Sequence, residues 1–212
     1  MKYLSEAFEV FNTYVEKELA NIPDGTELRA GGRATKAYPN KEDGSWWKEH
    51  GPKQVEAWAK WREANPNLEI LEVNGQPAIE IAVAADLDGV RLQGVIDRVF
   101  VDKQTGETMI VDLKTGTYPP ASQLQLGFYR VALEQTAGIN PQYGAYWMAR
   151  QGVLSQVEEL WHSTAMITSW LKATKQLIDN NVFIPHITNM CKSCGVRDFC
   201  YAVNKSIDWS NK

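Results

Sequence analysis

Two stretches of the chain place ionisable side chains where they can work together. In GVIDRV stands Asp97, and in IVDLKTG Asp112 and Lys114 flank Leu113. Alternate residues of a β-strand point the same way, so Asp112 and Lys114 project from one face. Isolated charges in a core are costly unless something pairs with them. One turn signal, DKQTGE, separates the two stretches, so antiparallel pairing brings Asp97 beside Asp112. Neighbouring carboxylates repel and raise each other's pKa, a problem that a shared cation removes. Hard oxygen donors with open positions suit Mg²⁺ or Mn²⁺, and the Leu113 carbonyl is a further candidate ligand. Such an ion activates water and stabilises charge on a phosphoryl oxygen, while Lys114 orients the nucleophile or counters that charge. The competing reading is a surface hairpin whose Asp/Lys pair contributes little. Gly94, three residues before Asp97, fits a close backbone approach. Gln125 and Tyr129, four apart, share one helix face.

A second cluster is CKSCGVRDFC, in which Cys191, Cys194 and Cys200 are the only cysteines of the 212-residue chain. An odd number of thiols packed so closely argues for a metal or iron–sulfur site over a disulfide framework. His186, in IPHITNMC, can complete a Cys3His site suited to Zn²⁺.

The elements that must position these groups follow from periodicity. Phe8, Phe11, Val15 and Leu19 mark an amphipathic helix over residues 5–20, and residues 21–51 read as loop. A second helix is expected over 52–64, presenting Val55, Trp58 and Trp61 and stopped by NPN. Residues 78–116 hold three Val/Ile/Leu-rich runs parted by Asp88-Gly89 and DKQTGE, an antiparallel meander. A helix over 121–135, a strand in YGAYWMAR and a helix over 165–180 follow. The fold class is α/β, a mixed central sheet with an antiparallel meander flanked by helices. Residues 1–185 form one domain with an N-terminal helical part, and 186–212 a small cysteine-containing appendage on it.

The ordered set GVIDRV, IVDLKTG and QLGFY resembles the GxxD, (D/E)xK and QxxxY motifs of the PD-(D/E)XK nuclease superfamily, in its RecB-like branch of CRISPR-associated iron–sulfur nucleases and phage exonucleases. The resemblance spans about residues 78 to 135 and implies a restriction-endonuclease-like core. It also implies Asp97 and Asp112 as metal ligands, Lys114 as the catalytic lysine, and Gln125 and Tyr129 as residues that touch DNA or support the site. That family places a histidine or glutamate upstream as an extra ligand: His50, the only histidine before the meander, is the first candidate and Glu80 the second. It implies a 4Fe-4S cluster on Cys191, Cys194 and Cys200, from which this chain departs because no fourth cysteine lies upstream. The expected activity is a metal-dependent exonuclease on linear or single-stranded DNA, in recombination, repair or processing alongside partner proteins. The alternatives are a silent DNA-binding adaptor of the same fold and a structure-specific endonuclease.

A formal charge of −4 gives no global attraction for nucleic acid, so DNA must be held by a local groove. No apolar run approaches the roughly 20 residues of a membrane span, so a soluble, cytoplasmic protein is expected, and the resemblance implies a bacterial or phage-infected cell as its setting. Trp46 and Trp47 are candidates to stack on bases or to pack on the sheet. Arg29, Arg33, Lys36 and Lys41, interspersed with Glu27, Glu42 and Asp43, read as a solvated loop. YWMAR and Trp161 read as core.

Overall fold

A computed structural model describes residues 4–29, 41–188, 191–192 and 194–203. Arg33 and Lys36 lie outside the described residues. Helix α1 runs Leu4–Leu19 and α2 Gly44–Ala64. Short strands β1 (Leu68–Ile70), β2 (Glu72–Val73) and β3 (Gln76–Pro77) precede the meander of β4 (Ile79–Leu87), β5 (Val90–Asp102) and β6 (Thr108–Lys114). Helix α3 (Leu124–Ala137) leads to β7 (Tyr143–Met148), β8 (Val153–Leu154), β9 (Glu158–Glu159) and α4 (Thr164–Asp179). A 3-10 turn at Arg197–Phe199 lies between Cys194 and Cys200.

The meander is antiparallel as its turns require, β4 to β5 and β5 to β6. β7 then adds to β6 in parallel, Asp112 beside Tyr146 and Lys114 beside Met148. Parallel neighbours need a crossover, and α3 supplies it. The sheet is therefore mixed, with β1, β8 and β9 added at its margins. β1 to β3, β8 and β9 escape sequence reading because two or three residues carry no period.

Alternation sorts β6 and β7 onto two apolar faces. Ile110, Tyr146 and Met148 join Leu126, Val131 and Leu133 of α3 and Ile167 of α4 in one core cluster. Met109, Val111, Ala145 and Trp147 join Phe100 on the opposite face, beneath Trp58 and Trp61 of α2. Those two indoles meet Trp147 and Phe100 edge-on, at ring-centroid distances of 5.0 and 5.8 Å, a favoured aromatic arrangement. The expected helix-flanked sheet is present, and α3 and α2 lie on opposite sides of the strand bearing Asp112 and Lys114.

Two boundaries and one burial differ from expectation. α2 starts at Gly44, eight residues before Pro52, because Asp43 caps it by accepting from the Trp46 amide at 3.0 Å. Pro52 sits inside the helix, where it removes one backbone bond. Packing compensates: Gly51 is buried so closely that a Cβ there would lie 1.9 Å from Phe11 Cζ of α1. α3 starts at Leu124, later than the run of periodic residues, with Ser122 Oγ accepting from the Leu124 amide at 3.1 Å. Trp161, read as core, is 66% exposed, while its neighbour His162 is buried.

Candidate active site

The pairing of Arg98 with Val111 puts Asp97 opposite Asp112, one step further along the two strands. Asp97 Oδ2 accepts a 2.6 Å hydrogen bond from the Leu113 amide, which ties the two strands at that step. β5 loses its alternation here. Ile96 and Phe100 should share a face, yet they lie in the two opposite clusters, and Val99 joins Ile96 in the first. The alternation therefore slips within the stretch that holds Asp97. The partner strand is distorted at the same place: Glu80, flanked by the pairs Ile79 to Arg98 and Ile81 to Ile96, has φ +50°. Left-handed backbone at a residue other than glycine costs about 1–3 kcal/mol, and such conformations cluster at functional sites.

Asp112 is 2% exposed. Its Oδ2 forms an ion pair with Lys114 Nζ at 2.5 Å. Burial pushes the Asp112 carboxyl above the usual carboxylate range, and the Asp97 charge adds to that, while Lys114 opposes it. The pair therefore carries a buried negative charge that one ammonium compensates only in part.

Lys114 is held from α3. Its Nζ donates to Gln125 Oε1 at 3.1 Å, and Gln125 Nε2 donates to the Tyr129 hydroxyl at 2.9 Å. The four-residue spacing on α3 thus makes a single file from ammonium to phenol. The Tyr146 ring of β7 lies 5.8 Å from the ammonium. Its hydroxyl is pushed up to about 12 by burial first, then by Asp112 and Tyr129. Beneath Tyr129 runs Gly94, where a Cβ would meet Tyr129 Cε1 at 3.0 Å. A groove of about 210 Å³ opens there, lined by Val83, Gly94, Gln125, Phe128 and Tyr129.

Of the residues expected at the site, the structure brings together Asp97, Asp112, Leu113, Lys114, Gln125 and Tyr129. Among the described residues no group of three or more His, Cys, Asp and Glu side chains gathers at one point. Glu80 instead accepts from Arg98 Nη1 at 3.2 Å. His50 lies within α2, not at its mouth, with its ring stacked on Trp46 at 4.1 Å and Nδ1 2.9 Å from the Trp46 carbonyl. Cys191 and Cys200 are half-buried and Cys194 exposed, all three as free thiols, and Cys191 Sγ lies 3.9 Å from the His186 carbonyl.

The segment before α2 is not simply a solvated loop. Glu42 is 1% exposed and accepts from Arg150 at 2.9 and 2.6 Å, and it pairs with Arg29 at 2.9 Å. Those guanidiniums hold the Glu42 carboxyl below the usual range against the opposing effect of burial. Arg150, which reads as the end of a core strand, donates its Nε to the Thr115 carbonyl at 2.5 Å, directly after Lys114. Charge pairs 108 residues apart have no local signature in a single sequence.

A sequence profile described as the PD-(D/E)XK nuclease superfamily matches residues 2–201. The Gene 69 protein of Mycobacterium phage D29 is 36% identical over 134 residues, covering 55% of this chain and 47% of that protein. The Gene 69 protein of Mycobacterium phage L5 is 29% identical over 181 residues, covering 69% and 56%. The chain thus matches about half the length of these curated relatives. Among solved structures, SSO0001 aligns over 94% of this chain and 97% of its own, with a TM-score of 0.41 and 15% identity. A structure from Eubacterium rectale, described as that of a presumed exonuclease, aligns over 92% and 77%, with a TM-score of 0.36 and 15% identity.

Proposed function

This chain belongs to the PD-(D/E)XK nuclease superfamily, and on that premise we propose that it is a divalent-metal-dependent deoxyribonuclease working as an exonuclease on linear or single-stranded DNA. The observation that carries the reading is the buried Asp112 carboxylate, with Asp97 alongside and Lys114 paired to it and held from Gln125 and Tyr129. Oxygen donors in that condition fit Mg²⁺ or Mn²⁺. Asp97 and Asp112 would hold the ion, with the Leu113 carbonyl and either His50 or Glu80 completing its shell. When bound, it supplies an activated water and charge compensation for in-line phosphodiester hydrolysis.

The chain's own residues do the rest. Lys114 sits where its ammonium can orient the attacking water or meet charge developing on the phosphate oxygens. Gln125 restrains that ammonium, and Tyr129 restrains Gln125, so the cation is aimed before substrate arrives. The groove beside Gln125 and Tyr129 offers a path for a strand leading to the carboxylates. DNA is the substrate, and recombination or repair proteins are the expected partners in a phage-infected cell. Among the described residues no helix is long and apolar enough to cross a membrane.

The test is degradation of end-labelled linear DNA and of closed circular DNA, each with Mg²⁺ or Mn²⁺. An exonuclease consumes the linear substrate and spares the circle. Equal cutting of both makes the protein an endonuclease, and inertness toward both with either ion overturns the reading.

Cys191, Cys194 and Cys200 are read as ligands of a 4Fe-4S cluster, with Zn²⁺ on these thiolates and His186 as the alternative. Anaerobically purified protein is expected to be brown, with iron and sulfide in stoichiometric amount. A colourless preparation carrying one zinc supports the alternative, and one lacking both metals overturns the metal role.

A further inference from the structure

We propose that Arg150 is the positioning residue that aligns the His50 helix with the strand end carrying Asp112 and Lys114. The inference rests on the nuclease reading above. Arg150 follows β7, the parallel neighbour of β6, and one guanidinium plane reaches three separate segments. Its Nη1 and Nη2 donate to the two oxygens of the buried Glu42, just ahead of α2, at 2.9 and 2.6 Å. Its Nε donates to the Thr115 carbonyl at 2.5 Å. Its Cζ lies over the Trp46 ring, 5.2 Å from its centre, and 5.7 Å from the centre of Trp47, both in the first turn of α2.

The contacts continue to the histidine. Trp46 lies parallel to the His50 ring, 4.1 Å away and 5° from coplanar in orientation. The Trp46 carbonyl can only accept, so at 2.9 Å the His50 Nδ1 is the donor, which leaves Nε2 as the nitrogen that a metal would take. That is the tautomer of a histidine that binds metal through Nε2, its other nitrogen oriented by a carbonyl. Arg150, Trp46 and His50 thus form one stack, anchored at its base to Glu42 and to the residue after Lys114. A buried ion pair is weak evidence for stability by itself, because apolar side chains of similar volume serve as well. The Thr115 bond and the indole faces are what an apolar replacement would lose, and they are the contacts that lead to the site. Only a rigid planar fork satisfies all of them together, so lysine is not an equivalent.

The test uses Arg150→Lys, which keeps the charge and loses the fork, and the double variant Arg150→Gln with Glu42→Gln, which removes both charges of this pair and keeps an amide oxygen for Arg29 to donate to. Both are measured for cooperative melting, kcat and KM on linear DNA with Mn²⁺, Mn²⁺ affinity by electron paramagnetic resonance, and the ¹⁵N signature of the His50 tautomer. The expected result is folded protein with KM for DNA within about twofold of wild type, kcat and Mn²⁺ affinity lowered about 10–100-fold, and loss of the Nδ1–H tautomer. Unchanged kcat and Mn²⁺ affinity in both variants overturns the proposal. So does loss of cooperative folding in both, which assigns Arg150 to stability alone. If wild type cuts no DNA, the nuclease reading falls by itself, and the Mn²⁺ titration with the His50 spectra still decides the role of Arg150.

Discussion

Asp112→Asn and Lys114→Ala each lower kcat on linear DNA on the order of 10³-fold, about 4 kcal/mol of transition-state stabilisation. The two losses have different causes, and the measurement separates them. Asparagine keeps the shape of Asp112 but removes the charge that, beside Asp97, makes a place for a divalent ion. Its loss therefore comes with a raised metal requirement, read as the Mn²⁺ concentration giving half-maximal rate. Lys114→Ala leaves both carboxylates in place and takes away the ammonium that Gln125 holds and that pairs with Asp112, so kcat collapses without the large rise in metal requirement that loss of a ligand brings. The pH profile supplies the sign. Burial raises the Asp112 carboxyl, and the protonated form cannot share a cation, so activity falls as pH drops through that raised value. More metal favours the ionised form, so the acid limb moves to lower pH as Mn²⁺ is increased. Either variant retaining near wild-type kcat, or an acid limb indifferent to metal, contradicts these roles.

The candidate site was more legible in the sequence than the scaffold around it. Asp97, Asp112 and Lys114 stand out because a two-residue period and flanking turns are local signals, and the structure pairs the strands in the register those turns demand. Gln125 and Tyr129 follow from a four-residue spacing and meet in one hydrogen bond. What the sequence hid is non-local. Glu42 and Arg150 look like loop and core until folding joins them across the molecule. Residues 44–51 look like loop because Gly and Pro flank them, whereas Asp43 supplies a cap that carries the helix through Pro52. The turned backbone at Glu80 has no glycine to announce it. Each of these sits next to the site and breaks a local rule, and local rules give way where tertiary contacts hold function in place.

A divalent ion reverses the stability order of wild type and the Asp112→Asn variant. Without metal, the native state keeps Asp112 protonated more readily than the unfolded chain does, because its folded pKa is raised. Stability is then fully present below the ordinary aspartate range and is lost as pH rises through the raised value, above which no further loss occurs. At neutral pH the metal-free wild type bears that cost, and Asp112→Asn, which carries no charge to bury, melts higher. A ligand that binds only the native state adds about 2.7 kcal/mol at a hundredfold excess over Kd. For a domain of this size that is a rise in Tm of roughly 5–10 °C. Asp112→Asn lacks a ligand and gains far less. Thermal melts of both proteins in EDTA and in Mn²⁺ should therefore cross: the variant higher in chelator, the wild type higher in metal. The ion acts on a carboxylate pair whose repulsion is already built into the fold, so the crossing needs no DNA and no turnover. A wild type that melts at one temperature in both conditions would remove the metal from the Asp97 and Asp112 pair, whatever the nuclease assay shows.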